Sequence, residues 1–216
     1  MCGRFALTVP HTSVAELFDA APDPSLMMRG PRYNICPTQE VEVCRIGAEG
    51  REMARLRWGY IPHWYKAPND GPLIINARSE TIAEKPAFRD AVRHQRCLIP
   101  ASGFYEWRQS AGKGKEPYWI SAASGATMLA WAGIWQDWGG DDGQVISTCA
   151  IGARGPLVIA PDDYALWLGE EGKGAARLMQ PATDDFFAFH QVDTAINKAK
   201  ADGPQLMASL NESRLI

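Results

Sequence analysis

The sequence lacks the patterns of membrane proteins and of proteins folded in oxidising compartments. No run of about 18 apolar residues is present, so we expect no segment that spans a bilayer. Pro10, His11 and Glu16 interrupt the N-terminal stretch, and we therefore expect no signal peptide. The five cysteines are odd in number and form no CxxC pair, which argues against a disulfide framework and a zinc site. These absences predict a cytoplasmic protein that needs neither metal nor cofactor.

An overall excess of positive charge is also missing. The 216 residues include 22 lysines and arginines against 25 acidic residues, for a net charge of −3. This balance argues against a general nucleic-acid coat but permits a local basic groove. Between residues 76 and 96 the cations outnumber the acids by five to three: Arg78, Lys85, Arg89, Arg93 and Arg96 against Glu80, Glu84 and Asp90. That segment is either a phosphate-binding patch or an ordinary solvated helix face.

Short alternating stretches make up most of the chain and predict strands. They are "EVEVCRI", "REMARLRW", "LIINARSET", "RCLIPASGFYEWR", "EPYWISA", "TMLAWAGIWQDW" and "VISTCAI". Two helices are expected, one in "TSVAELFDAA" with Thr12 or Ser13 as its N-cap and one in "EKPAFRDAVRHQ". No repeat or linker divides residues 1–216. The pattern predicts a single α+β domain built on mostly antiparallel sheet.

The opening "MCGRF" places a cysteine directly after the initiator methionine. Removal of Met1 would leave an amine with a pKa of about 8 beside a thiol with a pKa of about 8.5. Such a 1,2-aminothiol condenses with an aldehyde to an imine, and the thiol then closes a thiazolidine ring on the same carbon. The alternative is that Cys2 is only a small apolar side chain near a terminus.

The stretch "GFYEW" sets Glu106 between Tyr105 and Trp107. A carboxyl group that is partly desolvated has a raised pKa and can act as a general acid or base. A surface strand with Glu106 in water is the alternative. The turns "YNICPTQ" and "WGYIPHW" join prolines to aromatic residues, and they form either the walls of a groove or corners of the core.

Taken in order, these stretches resemble one family along almost the whole chain. The motifs are "MCGRF", "RYNICPTQ", "LRWGYIPHW", "INARSET", "RCLIPASGFYEW", "PYWI", "AGIW", "STCAI", "APDDYALWL" and "INKAKADGPQL". The sequence resembles the SRAP domain proteins, or SOS-response-associated peptidases, which crosslink to abasic sites in single-stranded DNA. The resemblance implies an α+β domain with a barrel-like core of antiparallel sheet and short peripheral helices.

The resemblance also implies roles for individual residues. Met1 would be removed, and Cys2 would form a thiazolidine with the ring-opened aldehyde of an abasic site. Asn76 would orient the Cys2 end, and Glu106 would move protons. Phosphates or bases of the DNA would be contacted by Arg4, Pro37, Trp58, Arg78, Arg89 and Trp107. The implied partner is single-stranded DNA containing abasic sites, bound by a nucleoid-associated monomer without a membrane, metal or cofactor.

One stretch departs from the family pattern. Family members usually place a histidine and an "H-RMP" motif after the "TC-I" strand, and that histidine is held to assist opening of the sugar ring. Here "STCAIGARGPLVIAPDDY" is short: Arg154 and Pro156 align with the motif, but Gly152 stands near the position of the histidine. Either the protein works without this group, another residue or water replaces it, or a loop is missing from the sequence.

Two other functions stay open at this point. Cys2 could be the nucleophile of a peptidase or amidase, with its own α-amine as the base and Asn76 helping to bind the oxyanion. The chain could also be a single-strand-binding module without catalysis, in which Cys2 is incidental. If Cys2 is a reactive nucleophile, lyase activity and autopeptidase activity are further alternatives.

Overall fold

Strands dominate the computed structural model, which describes residues 2–110, 112, 114–153 and 155–210. The strands are β1 (Phe5–Leu7), β2 (Arg32–Ile35), β3 (Glu40–Gly47), β4 (Gly50–Trp58), β5 (Asn76–Arg78), β6 (Arg96–Ala101), β7 (Gly103–Ser110), β8 (Gly114–Ala122), β9 (Leu129–Gly139), β10 (Val145–Ala153) and β11 (Phe187–Gln191). The α-helices are α1 (His11–Phe18), α2 (Ala91–His94) and α3 (Tyr164–Leu168). Short 3-10 helices cover Pro24–Leu26, Pro161–Asp163, Ala175–Leu178, Asp184–Phe186, Thr194–Asn197 and Pro204–Met207.

One sheet closes into a barrel. Its strands follow the order β4-β3-β6-β9-β10 with antiparallel neighbours, and β10 then pairs with β4 in parallel. The closing register sets Thr148 opposite Arg57 and Cys149 opposite Trp58. Closure removes the exposed edges that an open sheet would present. Strand β5 is added beside β10 in parallel, with Asn76 opposite Ile151.

The second sheet has the order β11-β8-β7-β1-β2, and its strands are antiparallel. The chain passes from the barrel strand β6 to β7 of this sheet across Ser102 alone. The next residue, Gly103, lies so close to β8 that a Cβ atom would be 2.4 Å from the carbonyl oxygen of Ile120. A backbone oxygen cannot move aside easily, so the junction between the two sheets requires glycine.

The main core lies between the sheets and includes the N-terminal segment. Phe5 is 1% exposed, and its ring packs edge-on against Trp58 at 5.1 Å and against Trp131 at 5.2 Å. Full burial of a phenylalanine side chain contributes about 1.5–3 kcal/mol of transfer free energy. Cys2 belongs to the same cluster. The start of the chain is therefore anchored inside the molecule.

The predicted fold class is confirmed: the structure is α+β, with a mostly antiparallel, barrel-like core and short peripheral helices. The predicted cap of the first helix is wrong. Helix α1 begins at His11, its N-cap is Pro10, and no side chain caps it. His11 occupies the first turn, where its side chain is buried and its Nδ1 lies 2.8 Å from a carboxylate oxygen of Glu42.

Two other predicted elements are shorter than expected. Helix α2 covers only Ala91–His94, and the preceding residues form turns. Pro86 restricts the backbone of Lys85 only, so it does not account for the turns at residues 87–90. The strand expected in "LIINARSET" is reduced to Asn76–Arg78. Across the ranges described, no helix combines the length and apolar character needed to cross a membrane.

Candidate active site

Cys2 precedes β1 and is fully buried, with an exposed fraction of 0%. Its thiol donates to the carbonyl oxygen of Arg4 at 3.7 Å. Burial raises the pKa of the Cys2 thiol far above its ordinary value, because the thiolate would lose its hydration. The Arg4 carbonyl contact lowers this pKa by less, and the negative charge of Glu106 raises it further. The thiol is therefore protonated at neutral pH in this structure.

Asn76 links the Cys2 segment to the barrel. Its side-chain nitrogen Nδ2 donates to the Cys2 carbonyl oxygen at 2.9 Å. Its oxygen Oδ1 is buried and has no hydrogen-bond partner in the described part of the chain. An unpaired buried acceptor costs free energy, so its retention beside Cys2 calls for an explanation. The residue before it is also held, because the Trp58 indole Nε1 donates to the Ile75 carbonyl oxygen at 3.0 Å.

Glu106 lies on β7 and is half-buried. Its charge acts on the Cys2 thiol, which places the carboxylate within electrostatic reach of the sulfur. Glu106 also lines an open cavity of about 550 Å³ together with Gly3, Trp107, Lys115 and Asn197. The sequence therefore brings a cysteine, an asparagine and a glutamate together at the place where the two sheets meet.

The walls of this cavity depend on residues to which the sequence assigned no role. The Trp107 indole Nε1 donates to Asn197 Oδ1 at 2.8 Å. The Arg4 guanidinium carbon lies 5.9 Å from the centroid of the Trp107 ring, and its Nη1 donates to Asn34 Oδ1 at 2.8 Å and to the Ile196 carbonyl at 2.7 Å. Arg4 was expected to contact DNA. Its Nη1 instead donates to Asn34 and Ile196, and these hydrogen bonds join the Thr194–Asn197 segment to the N-terminal segment. In the sequence, Asn34 stood out only as part of the motif "YNICPTQ", and Ile196 and Asn197 only as part of "INKAK".

The residues expected to contact DNA are placed differently from one another. Arg78 is exposed on β5 and lies two positions after Asn76, on the same face of the strand. Arg89 is also exposed, and its Nε lies 3.7 Å from a carboxylate oxygen of Asp90. Pro37 is half-buried in its turn. These three positions remain compatible with a surface role.

Trp58 and Arg96 do not form part of such a surface. Trp58 has an exposed fraction of 0% and packs on Phe5, so its ring offers no face on which a base could stack. The resemblance implied that Trp58 contacts DNA. In this structure Trp58 lies in the core of the closed barrel, and its indole N–H holds the Ile75 carbonyl. Arg96 directs Nη1 at the carbonyl oxygens of Val92 and Arg93, both at 2.9 Å. The Nη1 group of Arg96 is therefore engaged by the protein backbone, whereas Arg78 and Arg89 are exposed.

Gly152, near the position expected for the family histidine, lies in strand β10. Strand β10 ends at Ala153, which forms a bridge with Pro156, and Leu157 N donates to the Gly152 carbonyl at 3.2 Å. The aligned Arg154 lies outside the described residues.

The four histidines lie elsewhere. His11 contacts Glu42 and the His190 ring contacts the Met207 carbonyl, while His63 packs against Trp64 and His94 lies at the end of α2. The cavity lined by Gly3, Glu106, Trp107, Lys115 and Asn197 is called the Cys2 cavity here, because Gly3 follows Cys2 in the chain; in the described chain no histidine lines it. Within those same ranges, no group of three or more histidine, cysteine, aspartate or glutamate residues could hold a metal ion.

Comparisons with known proteins find relatives along almost the whole chain. The family model for SOS response associated peptidase (SRAP) matches residues 1–199. The chain is 32% identical to the abasic site processing protein YoaM of Bacillus subtilis, over 98% of this chain and 99% of that protein. It is 31% identical to the abasic site processing protein YedK of Escherichia coli, over 96% and 99% of the two chains.

Solved structures resemble the fold as well. A protein from Bacteroides thetaiotaomicron superposes with a TM-score of 0.83 at 21% identity, over 96% of this chain and 99% of that chain. A phage-related protein from Bordetella bronchiseptica gives a TM-score of 0.71 at 26% identity, over 88% and 94% of the two chains. From the match of its sequence along residues 1–199, this chain belongs to the SOS response associated peptidase (SRAP) family.

Proposed function

We propose that this protein processes abasic sites in single-stranded DNA by forming a covalent thiazolidine with the sugar aldehyde through Cys2. The names of its relatives YoaM and YedK support abasic-site processing. The observation that carries the chemical part is the position of Cys2, whose carbonyl is held by Asn76 while Glu106 acts on its thiol from the wall of an open cavity.

The first step uses the α-amine that removal of Met1 would create on Cys2. An α-amine has a pKa of about 8, so about a tenth of it is unprotonated at neutral pH. It attacks the aldehyde carbon of the ring-opened sugar. Asn76 Oδ1, which is buried without a partner, supplies an acceptor for the N–H groups of this amine. The C–N bond forms as the carbonyl π bond breaks, and one N–H proton passes to the oxygen to give a hydroxyl group. Glu106, which holds the proton released by the ammonium form of the amine, donates it to this hydroxyl, water leaves, and an iminium ion remains.

The second step closes the ring. Glu106, now a carboxylate, accepts the proton of the Cys2 thiol, and the sulfur attacks the iminium carbon. One C–S bond forms, the nitrogen regains its lone pair, and the net change from aldehyde and aminothiol is the loss of one water. The raised pKa of the thiol makes this proton transfer necessary, because little thiolate exists without a base.

The same raised pKa argues against a thiol peptidase. A cysteine peptidase attacks with a thiolate, and its site lowers the pKa of that thiol through nearby positive charge. Here both burial and the charge of Glu106 act in the opposite direction. An amine-first mechanism needs the thiolate only in its second step, whereas a thiol peptidase needs a base to form it before the first bond is made.

The surroundings of the cavity fit a nucleic-acid strand. Arg78 and Lys115 are exposed cations near Asn76 and Glu106, and each can pair with a phosphate. The Trp107 ring is fixed by Asn197 at the cavity wall and presents an aromatic group to a base or to the sugar. Among the described residues no histidine lines this cavity, so opening of the sugar ring would occur without such a group or with another residue or water in its place.

The test compares Cys2→Ala and Cys2→Ser with the parent on a single-stranded oligonucleotide that carries one abasic site. Both variants are expected to lose the adduct that survives denaturation. Cys2→Ser retains the amine and is expected to form an imine that borohydride traps. Cys97→Ala, which changes another buried cysteine, is the control. A denaturation-resistant adduct of parental yield in Cys2→Ala would overturn the proposal.

A further inference from the structure

An exposed aromatic surface lies on the second sheet close to Glu106. Phe189 on β11 has an exposed fraction of 69%, although it sits in the middle of an ordered strand. Its ring meets that of Tyr118 on β8, with the centroids 6.2 Å apart and the planes at 66°. The Arg108 guanidinium carbon on β7 lies 4.9 Å from the Tyr118 centroid. We call Arg108, Tyr118 and Phe189 the aromatic platform.

The aromatic platform is continuous with the Cys2 cavity. Its three residues line a groove of about 330 Å³ together with Glu106, Trp107 and Ile120. Glu106 and Trp107 also line the cavity beside Cys2. In the sheet register Glu106 is opposite Tyr118, and Ile120 is opposite Phe189. Two strand spacings separate β7 from β11, so Phe189 lies on the order of 10 Å from Glu106 across the sheet.

We propose that the aromatic platform binds bases of the DNA strand on one side of the abasic site. This inference rests on the proposed function, since it needs the reacting sugar to lie beside Glu106. A strand that leaves the cavity past Trp107 enters the groove directly. There the exposed Phe189 ring offers a stacking face, and Arg108 offers a charge that suits the phosphate backbone.

Two exposed cations beside the groove, Arg108 and Lys115, suit a polyanion, and the acidic Glu106 and Glu116 lie close to them. Arg108 is 67% exposed at its side chain and pairs only loosely with Glu116, at 3.3 Å. Lys115 lies on the same hairpin and is exposed. A two-fold contact through this face would bring these cations close to their own counterparts, which costs free energy. A phosphate backbone would instead neutralise them.

The test measures non-covalent binding with oligonucleotides that carry a stable abasic analogue without an aldehyde. One oligonucleotide extends from the analogue only in the 5′ direction, and the other only in the 3′ direction. For one of the two, Phe189→Ala is expected to weaken binding about tenfold, and Arg108→Ala to weaken it and to reduce the salt slope by about 1. The affinity for the oppositely extended strand should change much less.

The controls match the exposure of the two residues at sites outside the groove. Val145→Ala removes an apolar side chain that is 68% exposed, and Arg177→Ala removes a cation that is 69% exposed and faces Asp163 at 3.6 Å. Both are expected to bind like the parent. Crosslinking of the parent to a natural abasic site is measured in parallel, because its failure would count against the proposed function rather than against the platform.

Two results would overturn the inference while leaving the proposed function intact. The first is parental affinity of Phe189→Ala for both extended strands. The second is a parental dimer that dissociates on Phe189→Ala, which would identify the face as an interface between copies of this chain.

Discussion

At the scale of single residues, the environment of Cys2 decides the order of the chemical steps. Its thiol is buried and has a raised pKa, so it is poorly suited to attack first. The amine of the same residue needs no such activation, since it is partly neutral at physiological pH. In the proposed mechanism Glu106 therefore serves twice, first as an acid towards the leaving hydroxyl and then as a base towards the thiol.

Glu106→Gln tests this double role. Glutamine keeps the shape of glutamate but cannot carry a proton, so the rate of crosslink formation is expected to fall about 10²-fold or more. The rate is measured by quenching single-turnover mixtures into denaturant and quantifying the adduct. Glu16→Gln, an exposed glutamate on α1, is the matched control and should react like the parent. A parental rate for Glu106→Gln would remove this carboxyl group from the mechanism.

Residue types in motifs predicted some positions and not others. The motifs predicted that Cys2, Asn76 and Glu106 act together. In the structure Asn76 donates a hydrogen bond to the Cys2 carbonyl oxygen, and the charge of Glu106 raises the pKa of the Cys2 thiol. The sequence left open whether the turn that contains Trp58 lines a groove or forms a corner of the core. It contained Asn197 in the motif "INKAKADGPQL" but assigned it no role, and the contact of Asn197 with Trp107 joins residues 90 positions apart. Burial and such distant pairing follow from the closed barrel, which local patterns do not encode.

At the scale of elements, the bend between β6 and β7 sets the distance between the barrel and the second sheet. Glu106 follows three residues after Gly103 and is therefore positioned by this bend. Strand identities could be predicted from alternation in "EVEVCRI" and "VISTCAI". The division of "RCLIPASGFYEWR" into two strands of different sheets could not, because the cause is a close contact between Gly103 and the distant Ile120 backbone.

Gly103→Ala tests the role of this junction. The added methyl group would lie 2.4 Å from a backbone oxygen, so β7 or β8 must shift, and the free energy of unfolding is expected to fall by about 1–3 kcal/mol. The change is measured by urea unfolding, and the rate of crosslink formation should fall as Glu106 moves. Gly139→Ala is the control, because a methyl group there meets nothing within 4 Å. Equal stability and rate in the two variants would contradict the account.

At the scale of the whole molecule, closure of the barrel removes several ionisable groups from water. Burial raises the pKa of Cys44 to about 12, that of Tyr164 to about 12, and those of Cys97 and Cys149 as well. The scattered cysteines predicted the lack of disulfides, and those described are free thiols. Their gathering in one core could not be predicted, because it depends on the pairing of β10 with β4.

These buried thiols predict a loss of stability in alkali. The folded chain keeps their protons, while the unfolded chain releases them above about pH 9, so stability is full below that pH and falls as the pH rises towards the folded pKa values. Each thiol contributes a slope of about 1.4 kcal/mol per pH unit in that window. Urea unfolding between about pH 8 and about pH 10.5 measures it.

Cys44→Ala is the control for this series. It has one buried thiol fewer, so its free energy of unfolding should fall less steeply, by about 1.4 kcal/mol per pH unit. An unfolding free energy that stays constant across this pH range would show that the thiols are not held neutral by the fold.

The central claim is that Cys2 becomes the first residue and joins an abasic sugar through both of its nucleophiles. Intact-mass analysis of the purified protein, with and without a single-stranded abasic oligonucleotide, tests this directly. The account predicts a chain lighter by one methionine residue, and an adduct whose mass is the sum of protein and oligonucleotide less one water. A chain that retains Met1 and still forms the adduct, or one that lacks Met1 and forms none, would contradict it.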